Sequence, residues 1–142
     1  MKKFYFITIT FAIYFFAIAN IYAKELNHFN KGLKLFNKKE FEKSKIFFER
    51  DLVFNPKNEK SYLYLAKIFN KKKNTSLEEQ NLNTVILLNP KNEEAIYQLA
   101  LLNYNRSDFL KTKDHLKSLE KICKKFCIKK DELKIKLNNS SK

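Results

Sequence analysis

Hydrophobic residues in this chain recur every three or four positions, which is the spacing of amphipathic α-helices. The pattern is clearest in the middle of the chain, where one helical face consists of Tyr62, Leu65, Ala66 and Phe69. A matching face returns further along at Ile96, Leu99 and Ala100. Short polar stretches such as KKKNT at 71–75 separate these segments. The pattern therefore predicts an all-α chain in which helices alternate with tight turns.

The sequence also repeats itself with a period of 34 residues. The segment FNPKNEK at 54–60 matches LNPKNEE at 88–94, and together they hold both prolines of the chain. Small residues keep the same period at Gly32, Ala66 and Ala100, and bulky ones at Phe48, Leu82 and Leu116. A period of this length is typical of two antiparallel helices per unit. The small residues mark where paired helices approach closely, since a larger side chain there would overpack the contact.

Several local signals predict where the helices begin and end. Each Asn-Pro pair ends a second helix, because proline disfavours a helical conformation in the residue before it. Ser76 and Glu79 match a capping box, which predicts the start of the second helix in the middle unit. Ser107 or Asp108 is the expected N-cap of the corresponding helix in the next unit.

Residues 25–126 resemble three units of the tetratricopeptide repeat (TPR) family. The residues that carry the resemblance are Gly32, Ser44, Phe48 and Pro56 in the first unit, Tyr62, Leu65, Ala66, Phe69 and Pro90 in the second, and Ala100, Thr112 and Leu116 in the third. Glu78 departs from the family pattern because it stands where a small residue is usual, and Lys124 replaces the closing proline of the third unit.

The resemblance implies a right-handed α-solenoid of three helix-turn-helix units, at 25–58, 59–92 and 93–126, within a repeat region at 24–126. Residues 127–142 are expected to form a capping helix, with Leu133 and Leu137 one turn apart, and a frayed tail from Asn138 onward. Such a cap would cover the apolar face that the last unit otherwise leaves in water.

The first residues have the pattern of a secretory signal. Lys2 and Lys3 precede a nearly unbroken apolar run at 4–19, and Ala23 offers a small residue for cleavage. We therefore expect a signal peptide at 1–23 and an exported protein of the periplasm or cell envelope. An uncleaved inner-membrane anchor is the alternative, because the run is nearly long enough to cross a bilayer.

The chain is strongly basic, with 29 Lys and Arg against 15 Asp and Glu and a net charge of +14. Its expected partners are therefore anionic: a protein or peptide with acidic residues, acidic lipid headgroups, or anionic envelope polymers. Nucleic acid is not expected, because export places it out of reach. A coding bias toward Lys, Asn, Ile and Phe is the alternative explanation of the charge.

Nothing in the sequence predicts an enzyme, a cofactor or a metal site. The chain has two histidines and no glycine-rich loop, and neither histidine has a patterned carboxylate partner. His28 shares a repeat position with Tyr62 and Ile96, which favours helix packing. His115 is expected to be solvated or half-buried.

Cys123 and Cys127 are the only cysteines. In an exported protein such a pair favours a disulfide, and a zinc site would need two more ligands. A regular helix would hold the two Cβ atoms apart, so the bond requires a break in the helix between them. Two free thiols in a reducing setting are the alternative.

The resemblance further implies a concave surface lined by the first helix of each unit. The predicted partner-binding residues on it are Phe29, Leu33 and Phe36 in the first unit, Lys60, Leu63, Lys67 and Lys71 in the second, and Tyr97, Leu101 and Tyr104 in the third. Chaperone-binding members of the family grip a peptide carboxylate with a clamp of Lys, Asn and Arg. The matching positions here hold Phe29, Leu33, Tyr64, Glu94 and Gln98, so that clamp is absent.

The expected function is therefore a non-catalytic protein-interaction module or scaffold of the cell envelope. It would bind a partner segment in the concave groove. The alternative is a self-associating structural subunit of an envelope complex, using the same apolar surface.

Overall fold

The computed structural model describes residues 28–140, and within that range the chain is helical and contains no β-strand. The first helix, α1, covers 28–37 of the described residues. It is followed by α2 (Phe41–Phe54), α3 (Glu59–Lys71), α4 (Thr75–Leu88), α5 (Glu93–Asn105), α6 (Phe109–Glu120) and α7 (Cys127–Ser140). The all-α class predicted from the sequence is confirmed for these residues.

The predicted signal peptide or anchor at 1–23 lies outside the described residues. Among residues 28–140, no helix combines the length and the hydrophobicity needed to cross a bilayer.

Within the described residues the chain divides into two compact units, one ending at Pro56 and the other beginning at Lys57. In the first unit, α1 and α2 meet at the small residue Gly32. Ser44 Oγ donates a 2.8 Å hydrogen bond to the Gly32 carbonyl across this contact. The Phe48 ring is fully buried, and its centroid lies 5.7 Å from that of Phe29. A Cβ on Gly32 would lie 2.8 Å from two Phe48 ring carbons, so packing requires glycine at this position.

The second unit stacks its helices in sequence order. The pairs α3 with α4 and α5 with α6 pack closely, α4 also packs on α5, and α7 packs on both α5 and α6. Two clusters form its core. The first is built of Leu63, Ala66, Leu82, Val85, Ala95, Leu99 and Leu102, and the second of Ala100, Leu116, Leu133 and Leu137.

Asparagine or aspartate side chains cap the N-termini of α3, α4, α5 and α6. Asp108 Oδ1 accepts a 3.1 Å hydrogen bond from Lys111 N, which confirms Asp108 as one of the two expected caps. The capping box predicted from Ser76 and Glu79 is wrong. The helix begins at Thr75, and Asn74 Oδ1 caps it by accepting from Leu77 N at 3.1 Å. Ser76 thus lies inside the first turn.

The turn between α6 and α7 is held by a carboxylate from α5. Glu93 Oε2 accepts hydrogen bonds from the backbone N–H groups of Lys124, Lys125 and Phe126 at 2.8, 2.8 and 3.0 Å. These bonds lower the pKa of the Glu93 carboxyl, and the bond from Lys124 has the largest effect. Lys124 stands where a closing proline is expected, and the Glu93 carboxylate holds the turn instead.

Cys123 and Cys127 flank the same turn. Their sulfur atoms are bonded in the structure, and their Cα atoms are 5.3 Å apart. The helix is interrupted at 121–126, which is the break that the pairing requires. Beyond it, Leu133 and Leu137 are buried as expected of a cap, and α7 continues to Ser140, so residues 138–140 of the expected frayed tail are helical.

Glu78, which replaces the usual small residue, is only 2% exposed. Asn70 Nδ2 donates a 2.9 Å hydrogen bond to its Oε1. Burial raises the pKa of the Glu78 carboxyl, and this hydrogen bond and the Arg106 charge oppose the rise only in part. The ionised carboxylate therefore costs the folded state free energy.

We expect Glu78→Gln to stabilise the protein at pH 7, because the amide oxygen can still accept from Asn70 without a buried charge. Since the folded carboxyl has a raised pKa, the wild-type protein loses stability as pH rises from the unfolded value of about 4.5 through the folded one. The advantage of the variant should therefore grow over this window and vanish below it. Thermal unfolding at several pH values measures this effect. The exposed Glu120→Gln is the control, and a less stable Glu78→Gln at pH 7 would contradict the prediction.

Candidate functional site

One side of α3 and α5 carries most of the predicted binding residues. Lys60, Lys67 and Lys71 follow one another at helical spacing along α3, and Tyr97, Leu101 and Tyr104 do so along α5. An ion pair of 2.8 Å between Lys67 Nζ and Glu94 Oε1 joins the two helices. We call this surface of six residues the α3/α5 face.

The charge of this face is less positive than the sequence suggests. Lys67 is held by Glu94, and its ammonium also lies 4.8 Å from the ring centroid of Tyr64. Lys60 and Lys71 are exposed. The two exposed lysines therefore supply the charge available to a partner, and Lys67 serves to link the two helices.

Tyr97 and Tyr104 are half-buried, and both lie close to α7. The Tyr97 ring lies 5.6 Å from that of Phe126, and Lys129 Nζ lies 5.9 Å from the Tyr97 centroid. Burial, with a smaller contribution from the Glu132 charge, raises the pKa of the Tyr97 phenol. This phenol is therefore neutral at physiological pH and can donate a hydrogen bond.

The helix α7 extends the α3/α5 face beyond the predicted residues. Tyr104 shares a 2.8 Å hydrogen bond with Ser140 Oγ, and its ring lies 6.0 Å from that of Phe109. Sequence reasoning missed Lys129 and Ser140 because they lie past the last recognisable unit. Their helical phase relative to Leu133 and Leu137 was the available signal.

Leu63 is a correction to the predicted set. It is only 9% exposed and lies in the first core cluster with Ala66, Leu82 and Ala95. Side chains of α4 and α5 enclose it, so it stabilises the unit and is not free to contact a partner. Leu101 is half-buried, since it packs against the second cluster, and it keeps part of its surface accessible.

Comparison with protein-family profiles finds no match to this sequence, and comparison with curated proteins finds none either. Solved structures do match. The Yersinia enterocolitica type III secretion chaperone SycD, in complex with a peptide of the translocator YopD, superposes with a TM-score of 0.75 at 8% identity, over 82% of this chain and 93% of that one. The TPR2B domain of yeast Sti1 in its pHsp70 complex gives 0.75 at 14% identity, over 82% and 98%. The first TPR of Spaghetti (RPAP3), bound to an HSP90 peptide, gives 0.72 at 16% identity, over 82% and 91%.

The fold is that of a TPR domain. In TPR terms, α3 and α5 are first helices of their units, and α7 takes the place of a further first helix. At the clamp positions this chain has Tyr64, Glu94 and Gln98. Because Glu94 is acidic and is paired with Lys67, these positions offer no free cation to a terminal carboxylate.

The first unit carries the remaining predicted residues, and its rings pack within the unit. Phe29 contacts Phe48, and Phe36 lies 5.4 Å from Phe41 in an edge-on arrangement. Leu33 is half-buried. These three residues therefore contribute to the packing of the first unit, and their part in binding stays a prediction.

The two histidines lie on α1 and α6. The His28 ring stacks on Phe54 with centroids 5.7 Å apart, as expected for a packing role. His115 is half-buried, and burial lowers the pKa of its imidazole. Among residues 28–140, no group of three or more His, Cys, Asp or Glu side chains is placed to hold a metal ion.

Proposed function

We propose that this protein is a non-catalytic interaction module of the cell envelope, exported through its N-terminal segment, that binds a segment of a partner protein along the α3/α5 face. The observation that carries the proposal is the row of Tyr97, Leu101 and Tyr104, which lies partly accessible beside exposed lysines. Structural relatives determined with peptides bound to them support it.

The chemistry of the face defines the partner segment. Half-buried aromatic and aliphatic side chains favour apolar anchors, which carry much of the energy in such interfaces. Lys60 and Lys71 favour acidic residues beside those anchors and would speed association. Since Glu94 disfavours a terminal carboxylate, the segment is internal to the partner chain. Anionic lipid headgroups and envelope polymers are the other ligands that the lysines could attract.

Site-specific photo-crosslinking in cells tests both the face and the location. A photoreactive residue replaces Lys60 or Lys71 in one set of strains and Leu87, an exposed residue of α4, in the control. We expect adducts with a partner protein from the first set only, recovered in the envelope fraction with this chain beginning near Lys24. An adduct joining two copies of this chain would favour the structural subunit, and equal adducts from Leu87 would contradict the proposed face.

Charge reversal then measures how much the lysines contribute. Lys60→Glu with Lys71→Glu should weaken binding of the crosslinked segment about fivefold at low salt and less at high salt, because exposed charges are screened. The matched control is Lys34→Glu with Lys38→Glu, an exposed pair at the end of α1, which makes the same change in net charge elsewhere. Equal losses in both variants would mean that only net charge matters.

A further inference from the structure

A groove runs between α6 and α7, and its floor is apolar. It encloses about 490 Å³. Phe109 and Leu116 of α6 and Leu137 of α7 line it. Leu116 and Leu137 are 4% and 7% exposed and belong to the second core cluster. The groove therefore has a fixed apolar base within the second compact unit.

Lysines surround this floor. Lys113 and Lys117 line the groove from α6, and Lys130 and Lys134 line it from α7. The acidic side chain that lines it is Glu120, whose Oε1 lies 3.4 Å from Lys134 Nζ. With four lysines and one carboxylate, the lining carries a net charge of about +3 and favours an anionic occupant.

The two lysines of α6 are the most available of the four. Lys130 is buried, and its Nζ lies 3.1 Å from Asp131 Oδ1. Lys113 and Lys117 are exposed, one helical turn apart, and within residues 28–140 neither forms an ion pair. Like charges at this spacing repel each other, so an acidic ligand placed beside them would be favoured.

The packing order of the second unit indicates the shape of the occupant. There, α4 packs on α3 and α6 packs on α5, so each first helix has a second helix beside it. By the same packing rule, a helix beside α7 would lie along the groove that α7 forms with α6. The lining residues of α6 run from Phe109 to Glu120, which is about 18 Å or three helical turns. This length suits a short helix lying along the groove.

We propose that the α6/α7 groove docks an amphipathic helix of a partner protein, with apolar residues on one side and acidic residues flanking them. A second copy of this chain fits poorly, because each copy carries a net charge of +14. The N-terminal segment at 1–23 fits poorly too, since it contains Lys2 and Lys3 and no carboxylate side chain. This site is separate from the α3/α5 face and does not depend on the function proposed for it.

A designed peptide serves as the probe. It has about 14 residues, blocked ends, leucines along one helical side and glutamates beside them. Its control has the same composition, with the leucines spread around the helix. We expect NMR titration of the protein to move the methyl signals of Leu116 and Leu137, and the control peptide to bind at least about fivefold more weakly.

Paired variants locate the binding. Lys113→Glu with Lys117→Glu should weaken the peptide about fivefold or more. Lys34→Glu with Lys38→Glu, an exposed pair at the end of α1 outside both proposed surfaces, should leave its affinity unchanged. Circular dichroism checks that both variants fold, and both pairs are exposed, so the fold should tolerate them.

Three outcomes would overturn the proposal. Equal binding of the control peptide would mean that charge alone attracts the probe. Signals that move on α3 and α5 in place of Leu116 and Leu137 would assign the peptide to the α3/α5 face. Binding of anionic phospholipid vesicles that Lys113→Glu with Lys117→Glu abolishes, without binding of the peptide, would make this surface a membrane contact. The first two results leave the crosslinking test of the α3/α5 face unaffected.

Discussion

Phe48→Ala should destabilise the first unit by about 3–5 kcal/mol, which is the usual loss when a buried phenylalanine is truncated. The Phe48 ring is fully buried and packs against both Gly32 and Phe29. Native proteins are stable by only about 5–15 kcal/mol, so such a loss approaches the whole margin. Hydrogen exchange of the α1 and α2 amides measures it. Val53→Ala, at a position of α2 that is 77% exposed, should change little.

The contact between Gly32 and Phe48 can be tested from its other side. An alanine Cβ at position 32 would lie 2.8 Å from the Phe48 ring, and overpacking of this kind costs about 1–3 kcal/mol. Alanine would otherwise gain about 1 kcal/mol of helix propensity over glycine. Gly32→Ala should therefore destabilise the wild-type unit but stabilise a Phe48→Leu background. The same effect in both backgrounds would show that the two residues are not coupled.

The 34-residue period predicted the architecture because similar contacts between paired helices recur in every repeat. Ala66 and Ala100 are fully buried and Gly32 is buried, as expected where helices approach closely. In each repeat the small residue packs with the bulky one: Gly32 with Phe48, Ala66 with Leu82, and Ala100 with Leu116. A fold made of repeated local contacts is therefore unusually accessible to sequence reasoning.

The helix starts were harder to predict, because several polar residues compete for each cap. Asn74 precedes Ser76 by two residues and is an equally strong N-cap, so the serine pattern was misleading. Glu79 instead pairs with Arg106, which lies 27 residues away in the turn between α5 and α6. A local motif cannot register a partner so far along the chain.

The helical phase of the α3/α5 face was predicted from the sequence, but the accessibility of its side chains was not. Phase fixes which side of α3 a residue occupies, but the depth of that side depends on how α4 and α5 pack around it. Leu63 is buried for this reason, and Lys67 is tied to Glu94 across the helix pair. The position of α7 beside Tyr97 and Tyr104 likewise depends on the turn that Glu93 holds. The spacing of residues in the sequence predicts none of these contacts.

Ala66→Leu should lower the free energy of unfolding by about 1–3 kcal/mol. Ala66 is fully buried in the first core cluster, with Leu82, Val85 and Leu99 around it. Leucine adds three carbon atoms where no space is left, so neighbouring side chains must leave their preferred rotamers or the helices must separate. Leucine and alanine are both good helix formers, so intrinsic propensity accounts for little of the effect.

Thermal and urea unfolding of the second unit, followed by circular dichroism, measure the loss. Asn83→Leu adds similar bulk at an exposed position of α4 and should cause no loss, because leucine forms helix at least as well as asparagine there. If Ala66→Leu melted like the wild type while Asn83→Leu was also neutral, α3 would have room for a large side chain. The close helix approach that the 34-residue repeat predicts at its small residues would then be wrong for this unit.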